Sequence, residues 1–157
     1  MSVEEWALVA AVVFAGLWSG LLAMLAMVLH PMMRAMSGPD FARFLGVFLP
    51  TARRAPFNYV AVIGMVVAPV VALFALDSGS AAFPLTVIGL AIVVIGPLLV
   101  SNRIVEPHYD LMLSWDPDDL PADWEAGRRR YFTLNWVRGA ATWTAFALFL
   151  AALLEIA

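Results

Sequence analysis

Residues 6–29 read WALVAAVVFAGLWSGLLAMLAMVL, a run with no charged side chain and no proline. A helix rises about 1.5 Å per residue, so about 20 residues cover a bilayer hydrocarbon core of about 30 Å. This stretch is long enough. Two further uncharged runs, residues 57–76 and 82–100, repeat the pattern, and a fourth, residues 139–154, follows a less apolar approach that begins near residue 136. None alternates with a period of two, which excludes barrel strands. Lipid offers no partner to backbone N–H and C=O groups, so runs of this kind span as helices.

The rest of the composition agrees. The chain is 63% hydrophobic and 13% charged, about half the usual charged share of a soluble domain. The expected fold is all-α: an integral membrane four-helix bundle forming one domain over residues 1–157, with spans near 6–29, 57–76, 82–100 and 136–155. Glu4 and Glu5 stand where a signal peptide would be basic, and no A-x-A site follows the first run, so that run is expected to stay in the mature protein. Cysteine is absent, which excludes disulfides and thiolate chemistry.

All nine basic residues are arginines. Arg34, Arg43, Arg53 and Arg54 lie between spans one and two; Arg103, Arg128, Arg129, Arg130 and Arg138 lie between spans three and four or just inside the last. The positive-inside rule makes both of these loops cytoplasmic and both termini non-cytoplasmic, in the inner (plasma) membrane. The net charge of −3 does not oppose this, because acidic residues weigh little in that rule. Topology thus accounts for the arginines, and nothing supports a nucleic-acid partner. Membrane lipid is the expected environment.

Between spans one and two, Ser37-Gly38-Pro39-Asp40 reads as a break and a helix start. Phe41, Phe44, Leu45, Phe48 and Leu49 then recur at helical spacing beside Arg43, Arg53 and Arg54. This predicts a short amphipathic interfacial helix, with a lid over a cavity as the other reading. Small residues on the first span, including Gly16 and Gly20 in a G-x-x-x-G, predict close helix packing within the monomer or at a homo-oligomer seam. Pro97 should kink or loosen the third span, and the run WDPDDLPADW at 115–124 reads as a turn.

Beyond Pro121 nothing need break a helix from Ala122 to Glu155, roughly 50 Å long. On it Trp124, Arg128, Tyr131, Asn135, Arg138 and Thr142 fall at spacings of 4, 3, 4, 3 and 4, which is one helix face. Only residues 139–154 are uncharged before Glu155, so Arg138 is drawn below headgroup level. An intramembrane arginine is costly and faces the bundle interior with a partner. Glu106 and Asp110, in the polar cluster with Asn102, His108 and Tyr109 at the exit of span three, are the nearest acids.

These residues resemble the anthrone oxygenase-like family of small four-span membrane proteins. Its C-terminal pattern is a P-x-N at the exit of span three, a W, a second W seven residues later, then N or H, then R. Trp124, Tyr131, Asn135 and Arg138 reproduce the later spacing with tyrosine for the second tryptophan, and His30 with Pro31 is similar to the family's His-Pro. Pro107 and Tyr109 stand where P-x-N is expected, so the asparagine is missing. The resemblance implies conversion of an anthrone to an anthraquinone with O₂, with no metal or other cofactor. It implies catalytic roles for Asn135 and Arg138, holding the enolate oxygen, and for His30 or His108, taking the proton. Asn102, Glu106, Tyr109, Trp124, Arg128 and Tyr131 would then bind a hydrophobic small molecule.

Other readings of the same residues are a non-enzymatic subunit of a larger membrane complex, a Cu(I) site among Met24, Met27, His30, Met32, Met33 and Met36, and a harder metal held by His30, His108 and Glu106. No G-x-S-x-G, H-E-x-x-H or P-loop is present, which argues against a conventional hydrolase.

Overall fold

The first three helices begin where the sequence offers a cap or a proline. The computed structural model describes residues 2–157. In it Ser2 opens α1 (Val3–Ala35) with a capping box: its hydroxyl accepts from the Glu5 N–H while the Glu5 carboxylate accepts from the Ser2 N–H. Ser37 caps α2 (Gly38–Arg54) by accepting from the Asp40 N–H at 3.3 Å. Pro56 opens α3 (Pro56–Ala75), and α4 (Ala82–Leu113) and α5 (Trp124–Leu154) complete the chain. The described residues form no strand beyond an isolated bridge between Asp116 and Asp119, within the run that reads as a turn.

Four of these helices, all but α2, are long and apolar enough to cross a membrane. Within the most apolar 18-residue window of each, only 28–33% of residues are buried in the bundle. The outward side chains are apolar, among them Val13, Leu17, Ile63, Val67, Ile95 and Leu99. Such a continuous apolar exterior is unusual for a soluble monomer.

The apolar runs and the helices differ in length. Helix α1 continues past residue 29 through His30 and Pro31, and α4 continues past residue 100 to Leu113. Both contain π-helical turns, Leu25–Leu29 before Pro31 and Val94–Val105 around Pro97. Proline has no N–H for the carbonyl four residues back, and a wider turn accommodates the gap. The effect expected of Pro97 therefore takes the form of a loosened helix. Helix α5 begins at Trp124, later than Ala122, because the Trp124 N–H closes a turn on the Pro121 carbonyl at 3.0 Å.

The four long helices form a ring in which α1 packs on α3 and α5, and α4 packs on α3 and α5. The core lies in three tiers. Ala7, Leu8, Ala72, Leu76, Ala82 and Ala152 close the end that holds both termini; Ala15, Trp18, Met65 and Phe149 fill the middle; Phe41, Leu45, Met112, Tyr131 and Phe132 fill the end that carries α2. Of the G-x-x-x-G pair, Gly16 lies against Phe146 of α5 inside the monomer, whereas Gly20 meets nothing within 4 Å.

Helix α2 buries Phe41, Ala42, Leu45 and Leu49 against the bundle end and turns Arg43, Val47 and Thr51 outward. Its C-terminus is fixed by Arg53, which pairs with Glu106 at 2.6 Å and Asp110 at 2.8 Å on α4. Burial acts against the Arg53 charge, but the two carboxylates outweigh it and raise its pKa above the ordinary guanidinium value. The Asn58 amide adds a bond to the Ala52 carbonyl at 2.6 Å. The amphipathic helix thus covers this end of the bundle.

Candidate functional site

Beneath that cover lies a cleft of about 730 Å³, lined from every helix of the chain. Its volume is in the range of small-molecule sites. Trp18, Leu22, Leu25 and Leu29 come from α1, Phe48 and Leu49 from α2, Asn58 and Val62 from α3, Asn102, Glu106 and Tyr109 from α4, and Tyr131, Asn135 and Arg138 from α5. The π-helical turn of α1 supplies Leu25 and Leu29, and that of α4 supplies Asn102, so both loosened segments border the space.

The face formed by Trp124, Arg128, Tyr131, Asn135, Arg138 and Thr142 does turn inward; Tyr131, Asn135 and Thr142 are buried and the other three half-buried. Its middle forms the polar floor of the cleft. The Arg138 Nη1 donates to the Tyr109 hydroxyl at 3.3 Å, and that hydroxyl donates to the Asn135 Oδ1 at 2.8 Å. The Asn135 amide donates to the Tyr131 carbonyl one turn back at 3.0 Å. The Tyr109 and Tyr131 rings lie 5.3 Å apart. A cation, two phenols and an amide therefore meet where the apolar walls converge.

Arg138 departs from the expected pairing. Among the described residues it makes no ion pair, because Arg53 of α2 takes both Glu106 and Asp110. The reason is position: the end of α2 crosses the exit of α4 and reaches the two acids, leaving Arg138 deeper and bonded to Tyr109. A guanidinium without a counter-ion on an inward helix face is expensive in a low-dielectric site.

The unsatisfied polar atoms share one property. On residues that line the cleft, Trp18 Nε1, Arg53 Nε, Tyr131 Oη and Arg138 Nε are buried without a hydrogen-bond partner. All four carry a proton to donate. Buried polar groups are otherwise nearly always paired.

Neither histidine lines this space. His30 is fully buried behind it, its ring 4.6 Å from that of Phe132 and 5.7 Å from that of Tyr131, with both nitrogens unpartnered. His108 faces the other side of α4, its Nε2 2.9 Å from the Gly127 carbonyl, in a separate hollow with Trp115 and Arg130. A base acting within the cleft therefore cannot be either imidazole, and Glu106 is the carboxylate among the lining residues. Its distinction from Asp110, which points past the cleft, had no signal in the sequence.

Trp124 and Arg128 also lie apart from the cleft. Arg128 stacks on Trp124 at 4.6 Å and on Phe41 at 5.7 Å, and donates to the Met36 carbonyl at 3.1 Å. These two hold the junction of α1 and α2 against α5. Asn102 does line the cleft, though its amide is already engaged with the Leu98 carbonyl at 3.0 Å. Of the methionines around the end of span one, Met24, Met27 and Met32 are exposed and Met33 is buried. Among the described residues no three His, Asp or Glu side chains gather as metal ligands.

Comparison with family models, with curated proteins and with solved structures finds no match to this chain.

Proposed function

We propose that this chain is a multi-pass membrane protein whose cleft binds an anthrone-like or other polycyclic phenolic substrate and lets it react with O₂ without a resident cofactor. The observation that supports this reading is Arg138, a guanidinium on the cleft floor with no ion pair among the described residues. A neutral ketone or phenol would bring it an acceptor but no charge, whereas the enolate or phenolate supplies the acceptor and the counter-ion together. The similarity of Trp124, Tyr131, Asn135 and Arg138 to the anthrone oxygenase-like pattern gives the reaction class.

The chemistry balances without further reagents. An anthrone CH₂ loses a proton, with Glu106 as the acceptor that the cleft offers. The electron-rich enolate passes one electron to O₂, and the resulting pair combines at the same carbon as a hydroperoxide. Loss of water leaves the second ketone, so one oxygen atom enters the product and the other departs as water. In this scheme the Arg138 guanidinium holds the oxyanion, Tyr109 positions Arg138 by accepting from it while donating to Asn135, and the apolar walls exclude bulk water.

The decisive assay is O₂ consumption by purified protein with anthrone, measured against spontaneous oxidation and alongside metal, flavin and haem analysis. No acceleration over background, or acceleration proportional to a bound cofactor, refutes the reading. Tyr109→Phe removes the hydroxyl between Arg138 and Asn135 and is expected to lower the accelerated rate by about tenfold or more, with helical content unchanged. An unchanged rate would show that Arg138 keeps its position without Tyr109.

Orientation belongs to the same proposal. With the arginine-bearing loops cytoplasmic, reporter fusions at Ser78 and Asp118 should report opposite sides of the membrane. Agreement between them would mean that the number of crossings is wrong. The accessory-subunit reading retains one favourable observation, the open surface at Gly20 beside exposed Met24 and Met27. Co-purification with a larger assembly, with no O₂ consumption, would favour it.

A further inference from the structure

The cleft has a polar floor and an apolar side opening. Several of its lining residues also stand at the outer surface, among them Leu21 and Met24 on α1, at 36% and 52% exposure, and Tyr59 and Ile63 on α3, at 59% and 60%. They frame a gap between two of the helices long and apolar enough to cross a membrane. Trp18 and Val62 lie within the same gap, leading inward to Tyr131 and Arg138.

The end of the bundle is closed by comparison. There α2 places Phe48, Leu49 and Ala52 over the cleft, and three contacts hold it down: Arg53 to Glu106, Arg53 to Asp110 and Asn58 to the Ala52 carbonyl. Opening that end would separate a guanidinium from two carboxylates and strip an apolar helix face from its seat. The side gap demands neither, because its walls are apolar and meet lipid on the membrane reading. An apolar body crosses such walls with no desolvation penalty.

We infer that the cleft is loaded sideways from the bilayer, through the gap between α1 and α3, by a lipid-dissolved amphiphile that carries one acceptor or anionic oxygen. The oxygen seats at Arg138 and the ring system lies between Trp18, Leu25 and Val62. The inference rests on the membrane and cleft-binding parts of the proposed function, and it does not require the oxygen chemistry. It narrows the substrate class to molecules that partition into lipid, and it assigns product release to the same gap.

The chain has no cysteine, so single introduced thiols can block the gap selectively. The protein is reconstituted in phosphatidylcholine vesicles with 1-hydroxypyrene as the probe, and loading is followed as the component of tryptophan-to-probe energy transfer that Trp18→Phe removes, since the chain has six tryptophans. Benzyl methanethiosulfonate on Met24→Cys or Ile63→Cys is expected to slow loading by about tenfold or more, and dithiothreitol should restore it. The same reagent on Val67→Cys, exposed on α3 but outside the cleft lining, should change nothing, and on Thr51→Cys, at the α2 end of the lining, it should slow loading less than at either gap position. Slowing at Thr51→Cys alone would establish entry from water and overturn the inference. So would unaffected loading in both gap variants, or no transfer dependent on Trp18. Loading that obeys the gap while O₂ consumption stays at background would instead refute the oxygenase reading and leave this inference standing.

Discussion

Arg138→Met is expected to lower the accelerated O₂-consumption rate by about 10²–10³-fold, the usual loss when one oxyanion donor is removed, without lowering the unfolding midpoint. The two halves of this result have one cause. Removing one member of a buried ion pair strands the other charge and costs about 3–5 kcal/mol, but Arg138 has no acidic partner to strand among the described residues. Its loss leaves the Tyr109 hydroxyl still bonded to Asn135 at 2.8 Å. Methionine has a similar length and no charge to bury. The protein should therefore be as stable as the parent or more so, as read by denaturant unfolding in detergent. A loss of stability with an intact rate would mean that the guanidinium holds the bundle together and leaves catalysis to other groups.

The second large effect is structural. Gly64→Leu is expected to destabilise the bundle by about 1–3 kcal/mol or more, the usual cost of overpacking a filled core. A Cβ at Gly64 would overlap the Phe14 ring of α1. That ring packs against the middle tier of the core, between helices whose small residues Ala11, Ala15, Ala61 and Ala68 permit close approach. Gly20→Leu is the control, since its Cβ would meet nothing within 4 Å, and there the gain in helix propensity of about 1 kcal/mol acts alone. Denaturant titration of the two variants should separate them clearly. Equal midpoints would show that α1 and α3 are not held at this distance in the folded protein.

The features that were legible in the sequence are those set by local chemistry. The uncharged runs at 6–29, 57–76 and 82–100 specify helices because lipid and core alike leave the backbone no other partner. Ser37 and Asp40 mark the start of α2, and the 4-3-4-3-4 spacing from Trp124 to Thr142 places one face of α5 inward. Six of the ten candidate residues, Asn102, Glu106, Tyr109, Tyr131, Asn135 and Arg138, line one cleft. Periodicity found Tyr131, Asn135 and Arg138, because a helix turns a fixed angle per residue whatever it packs against, while Asn102, Glu106 and Tyr109 stood out as polar residues at the exit of an apolar run.

Partners across helices obeyed a different rule. Glu106 and Asp110 were near Arg138 in topology, yet they pair with Arg53, because α2 folds back over the bundle end and delivers a closer cation. His30 and His108 were plausible bases by residue type, but the rotation of α1 and α4 turns one behind Tyr131 and the other toward Gly127. Likewise the π-helical turns, signalled only by Pro31 and Pro97, shift the register of the helical residues beyond them.

The sequence by itself determined four long apolar helices, an amphipathic helix between the first two, and an arginine-bearing face on the last, because each depends on neighbours within a few residues along the chain. The tertiary structure alone decided that this face opens onto a cleft lined from every helix, that Arg138 stands there without an ion pair among the described residues, and that Leu21, Met24, Tyr59 and Ile63 reach from that cleft to the outer surface. Those outcomes depend on distances between side chains tens of residues apart, which are fixed only when the helices pack.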